Sequence, residues 1–85
     1  MTSRQQKRKM AHIFAHEVFH TRDHQGLTQQ EIADKVFISL RWYQKIEAGE
    51  VLPGFFVGVH LMELFKIAPE TLVAEIKSAI AESAS

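Results

Sequence analysis

Residues 27–47 read LTQQEIADKVFISLRWYQKIE, and the spacing of apolar positions within this stretch decides the fold. Two short amphipathic segments, Gln29–Val36 and Leu40–Glu47, are separated only by Phe37, Ile38 and Ser39. Thr28 followed three residues later by Glu31 is a capping box, in which hydroxyl and carboxylate satisfy free backbone amides reciprocally, so a helix starts there. Ser39 can cap the second helix in the same way through its hydroxyl oxygen. Ile32, Ala33 and Val36, then Tyr43 and Ile46, recur at three- and four-residue spacing. Helices joined this tightly bury those faces only by crossing steeply, which leaves one side of the second helix exposed. That side carries Arg41, Gln44 and Lys45, whose side chains suit base edges and phosphates. The expected unit is a helix-turn-helix whose second helix enters a DNA major groove.

Outward from this core, the periodicity predicts a first helix from about Gln5 to His24, with Met10, Phe14, Val18 and Arg22 along one face and Gly26 as its stop. Residues 1–9 form a polar, basic arm (Arg4, Lys7, Arg8, Lys9) that either frays or extends this helix. A loop from Ala48 to Gly54 leads to a helix over Phe55–Phe65, in which Phe55, Phe56, Leu61, Leu64 and Phe65 are assigned to the core. Pro69 fits the first turn of a last helix over 69–82. Its Leu72 and Val73 are expected to complete the core, and Ser83–Ser85 to fray. Ile76 and Ile80 have two readings: contact with a second copy, or packing on the first helix.

The chain of 85 residues permits one all-α domain, a compact bundle of four or five helices over 1–85 with the helix-turn-helix at about 28–47. Without cysteine there is no disulfide framework and no thiolate metal or redox site. No apolar run has membrane-spanning length and no signal-peptide core follows the basic start, so a cytoplasmic protein with no membrane partner is expected. Ten basic and ten acidic residues cancel, but unevenly. Residues 1–46 hold eight Lys/Arg against four Asp/Glu (+4), and residues 47–85 hold two against six (−4). The positive half is the one expected to face phosphates.

The pattern resembles the lambda-repressor and Cro type of DNA-binding domain, the XRE family. The resemblance rests on Arg22 before Gly26-Leu27-Thr28-Gln29, on Glu31-Ile32-Ala33, Ile38-Ser39 and Ile46-Glu47-Ala48-Gly49, and on Pro53 ahead of a helix ending Leu64-Phe65-Lys66-Ile67. It covers roughly residues 13–72. It implies a dimer on a palindromic operator, with Leu40, Arg41, Gln44 and Lys45 meeting bases, Trp42 against the DNA backbone and Gln29 on a phosphate at a helix N-terminus. It also implies an ion pair between Arg22 and Glu47. Thr28, Ser39 and the basic residues Arg4, Lys7, Arg8 and Lys9 complete the expected DNA-contacting set. The chain departs from the family in three places. Phe37 stands where glycine is usual in the turn, so the turn differs, or Phe37 is strained or packed outward. Leu40 replaces a polar base reader. Glu50-Val51-Leu52 lacks the basic residues often found there.

His16-Glu17-Val18-Phe19-His20 matches the H-E-x-x-H pattern of zinc peptidases. Yet His12, His16, His20 and His24 recur every four residues on a face opposite Phe14 and Val18, so they are expected on an exposed stripe without a cleft or third ligand. That stripe has the open alternatives of a polar face, a metal-binding pair or a pH-sensitive surface. The expectation is therefore a non-enzymatic, cofactor-free transcriptional regulator of prokaryotic or phage type, a stand-alone repressor that dimerises on double-stranded DNA. The competing expectation is an antitoxin or protein-interaction module with a toxin or regulator as partner.

Overall fold

The computed structural model describes residues 2–84, so Met1 of the basic arm and Ser85 of the terminal segment lie outside the described residues. The described residues form five α-helices and no strand: α1 (Ser3–Gln25), α2 (Gln29–Lys35), α3 (Leu40–Glu47), α4 (Phe55–Phe65) and α5 (Pro69–Ala84). At about 1.5 Å per residue, α1 is a rod of about 35 Å. It spans most of the 40 Å long axis of the molecule and serves as the spine for α3, α4 and α5.

The basic arm is helical. Thr2 opens α1 with a capping box, its Oγ1 accepting from the Gln5 amide at 3.2 Å while Gln5 Oε1 accepts from the Thr2 amide at 2.8 Å. Two orphan amides are thereby satisfied three residues earlier than the predicted start. The expected caps of α2 and α3 form as read. Thr28 Oγ1 accepts from the Glu31 amide at 3.0 Å, with Glu31 Oε1 returning to the Thr28 amide at 3.0 Å. Ser39 Oγ accepts from the Trp42 amide at 3.0 Å. The Glu31 carboxyl is held below its ordinary value by the Thr28 amide first and by the Thr28 hydroxyl second. At the other end of the chain, α5 is helical through Ala84, two residues beyond the expected end at 82.

The core gathers Phe14 and Val18 of α1, Ile32 and Ala33 of α2 with Val36 at its C-cap, Tyr43 and Ile46 of α3, Leu61 and Phe65 of α4, and Leu72 of α5. Three expectations for this core fail. Phe55 and Phe56 are 88% and 78% exposed, because they lie about 120° and 140° around α4 from Leu61, which faces inward. Val73, adjacent to the buried Leu72, is half exposed. Ile76 and Ile80 are half-buried on α5, which packs against α1.

Candidate nucleic-acid interface

The connector between α2 and α3 is the point at which local chemistry and the required geometry conflict. Phe37 adopts φ 60°, the left-handed region disfavoured for residues with a Cβ, and its ring is 86% exposed. The turn nevertheless closes, with the Ile38 amide donating to the Ala33 carbonyl at 3.1 Å. Of the sequence alternatives, strain and outward packing therefore hold together. Gly49 closes the other end of α3 at φ 76°, where an added Cβ would stand 2.8 Å from the His12 ring. The loop after α3 is thus drawn tightly onto α1.

One hydrogen-bonded chain runs from the spine to the outer face of α3. Arg22 grips Glu47 in a fork, Nε to Oε2 at 2.8 Å and Nη2 to Oε1 at 2.6 Å, and its Nη1 donates to the Leu27 carbonyl at 2.8 Å. Gln29 Nε2 donates to Glu47 Oε1 at 3.3 Å, and Gln44 Nε2 donates to Gln29 Oε1 at 3.2 Å. Burial alone would raise the Glu47 carboxyl, but its hydrogen bonds from Arg22 and its other neighbours outweigh that and hold it below the usual carboxylate value. The Glu47 hydrogen bond correspondingly raises Arg22, against the effect of its own burial. Tyr43 sits buried beside this pair. Its Oη has no hydrogen-bond partner among the described residues, and burial followed by the Glu47 charge pushes the phenol strongly upward.

The expected reading side of α3 faces solvent. Arg41, Trp42 and Gln44 are exposed, and Leu40 and Lys45 are half-buried. The Thr28 and Ser39 hydroxyls accept helix caps and the Gln29 amide group is engaged by Glu47 and Gln44. These three therefore have part of their hydrogen-bonding capacity already used within the chain. Gln29 matters as the link that orients Gln44, a role the sequence did not indicate.

A second feature was not legible in the sequence. The helical arm carries Arg4, Lys7 and Arg8 to one wall of a groove of about 800 Å³, with Trp42, Gly49 and Leu52 on the facing side. Residues 4, 7, 8, 11 and 12 share one face of α1, and the tight approach of Gly49 to His12 brings the loop against it. Lys9 lies off this face and does not line the groove. Three cations thus face Trp42 of α3 and the loop that follows it, which adds one carboxylate, Glu50; the cationic wall suits a phosphate backbone running beside the helix.

The histidine stripe is exposed at all four positions. The His16 and His20 rings meet edge to face with centroids 4.2 Å apart, and among the described residues no group of three or more His, Asp or Glu is arranged to hold a metal ion. Across from it, the Glu75 carboxyl on α5 is raised by burial and then by Glu17 on α1. No helix among the described residues is long and apolar enough to cross a membrane. Comparison with family models, curated proteins and solved structures gives no match.

Proposed function

We propose that this chain is a DNA-binding transcriptional regulator of the lambda-repressor type, a small repressor that binds a palindromic operator as a dimer and acts in the cytoplasm. The observation that carries the reading is the solvent-facing side of α3, held in one orientation by the chain Arg22–Glu47–Gln29–Gln44. A guanidinium, an amide and an ammonium project from it at Arg41, Gln44 and Lys45. Arg41 can offer a bidentate contact to guanine, and Gln44 can pair with adenine. Arg4, Lys7 and Arg8 add a phosphate contact outside the major groove, with Trp42 packed along the same strand.

Selection of duplexes from a random pool by the purified chain, followed by fluorescence anisotropy, tests this. An enriched palindrome is expected, and Arg41→Ala should cost about 1–3 kcal/mol at one base pair while leaving random duplex binding nearly unchanged. No enrichment and no preference over random duplex at low salt would overturn the reading. A second reading, an interaction module such as an antitoxin, is favoured by the large exposed rings of Phe37, Phe55 and Phe56 and by the zero formal charge. Co-purification of a stoichiometric partner with a chain that ignores DNA would select it.

A further inference from the structure

The outer face of α4 is apolar but for Glu63 and Lys66 at its C-terminal end, and it divides into a protruding half and a recessed half. Phe55 and Phe56 protrude at its N-terminal end, nearly fully exposed, with Val59 one turn on and half exposed. At the C-terminal end Val59, Met62, Ile67, Ala68 and Pro69 line a shallow cleft of about 400 Å³, with the charged Glu63 and Lys66 at its wall. At 100° per residue, Phe55, Val59 and Met62 fall within about 60° of one another and Phe56 flanks them, so rings and cleft share one face. Phe37 widens the aromatic end. Its ring and that of Phe56 each lie 6.3 Å from the His60 ring.

We propose that a second copy of this chain covers this face, with α4 packed antiparallel on α4 about a two-fold axis at Val59. The proposal deepens the DNA-binding reading, which calls for two copies, while resting on the apolar face alone. An axis at Val59 sets Phe56 opposite Met62 of the second copy and Phe55 opposite its Glu63. Each copy's rings then sit over the other's cleft, both at once, as an isologous interface requires. The area suffices. With 150–250 Å² for a whole ring side chain, the three phenylalanines expose about 500 Å² of apolar surface, near the upper end for a monomer. Val59, Met62 and the cleft wall bring the patch towards the roughly 800 Å² per partner of a stable dimer. The formal net charge is +0, so two copies meet without long-range repulsion. Phe37 holds a strained backbone while its ring gains no burial within its own chain. A contact across the axis gives that ring a partner.

The test is sedimentation equilibrium of the DNA-free chain over roughly 1–200 μM, a range that brackets a micromolar dimer. A species of twice 9.7 kDa is expected at the upper end. Phe55→Lys and Phe56→Lys should each raise the dissociation constant at least about tenfold with unchanged helicity, because both side chains already face solvent. The chain has no cysteine, so Val59→Cys should oxidise to a disulfide-linked dimer much faster than Asp23→Cys, placed on exposed α1. A monomer across the whole range, a dimer indifferent to both lysines, or equal oxidation of the two cysteine variants would each overturn the proposal. A dimer meeting these tests that ignores DNA would sink the function reading alone. A monomer that selects an operator would sink this inference alone.

Discussion

Breaking the Arg22–Glu47 pair from each side should give unequal losses that do not add. The side chains are 16% and 6% exposed, so each variant strands the other partner in a largely dry site. Glu47→Ala leaves Arg22 with its bond to the Leu27 carbonyl and some access to water. Its expected cost is therefore at the low end for breaking a buried pair, about 3 kcal/mol. Arg22→Ala leaves the more buried carboxylate with only the long 3.3 Å bond from Gln29, so about 4 kcal/mol is expected. For a domain this size the first loss lowers Tm by roughly 12–24 °C, and the second approaches the total stability of about 4–13 kcal/mol. The double variant should cost about 4 rather than about 7 kcal/mol, because neither charge remains to be stranded. Urea unfolding followed by far-UV circular dichroism at neutral pH measures all four corners of the cycle. Single losses below about 1 kcal/mol that add in the double variant would refute the brace.

The same pair sets an acid limit: with the Glu47 carboxyl lowered in the folded state, its contribution is complete above the unfolded value near pH 4.3 and disappears as pH falls through the folded value. Stability measured against pH should therefore fall in acid for the parent chain, and Glu47→Gln should remove much of that slope. Gly49→Ala forces a Cβ into the left-handed region against the His12 ring, and a loss of about 1–3 kcal/mol in urea unfolding is expected. Phe37→Gly relieves the strained turn while exposing no core, so at concentrations low enough to hold monomer it should raise stability by about 0.5–1 kcal/mol. Replacing Arg4, Lys7 and Arg8 together by Ala should weaken all duplexes alike and reduce the salt slope of binding by up to about 3; an unchanged slope would place the groove away from the phosphates.

The caps and the two short helices α2 and α3 were legible because they rest on contacts three and four residues apart. Thr28 with Glu31, Ser39 before Trp42, and the inward row Ile32, Ala33, Val36, Tyr43 and Ile46 are all short-range in sequence. The ion pair between Arg22 and Glu47 spans 25 residues and was foreseen only through family resemblance. What the sequence concealed is tertiary. The groove facing Arg4, Lys7 and Arg8 exists because Gly49 lets the loop approach His12, and no local pattern in either segment announces the meeting. Phe55 and Phe56 were assigned inward by hydrophobicity. The wheel already held the contrary signal, since Leu61 and Phe65 fix the buried side of α4 and leave both rings far around from it. Phe37 shows the limit of residue preference: the tight α2–α3 connection demands a left-handed residue, and packing of the two helices imposes it on a phenylalanine.

The length of α3 constrains what the proposed function can be. Eight residues form little more than two turns, too short to be helical in isolation, so this element exists only because its inner side is anchored. Tyr43 and Ile46 are buried in the core and Glu47 is taken by Arg22, which leaves Leu40, Arg41, Trp42, Gln44 and Lys45 to face a duplex. Of these, Leu40 offers only an apolar contact and Trp42 lines the flanking groove. One copy can therefore make about two base-specific polar contacts through Arg41 and Gln44, at about 1–3 kcal/mol each. That is at most about 6 kcal/mol of discrimination, at the lower end of what separates an operator from bulk DNA. A second copy doubles the readout without any new residue type, and the apolar face of α4 is the surface available to hold it. The sequence preference of an obligate monomer should thus be confined to a few base pairs, whereas a dimer should select two such half-sites at fixed spacing. If Phe55→Lys abolishes self-association but leaves selection of a spaced palindrome intact, specificity must arise from contacts other than this paired pair of short helices.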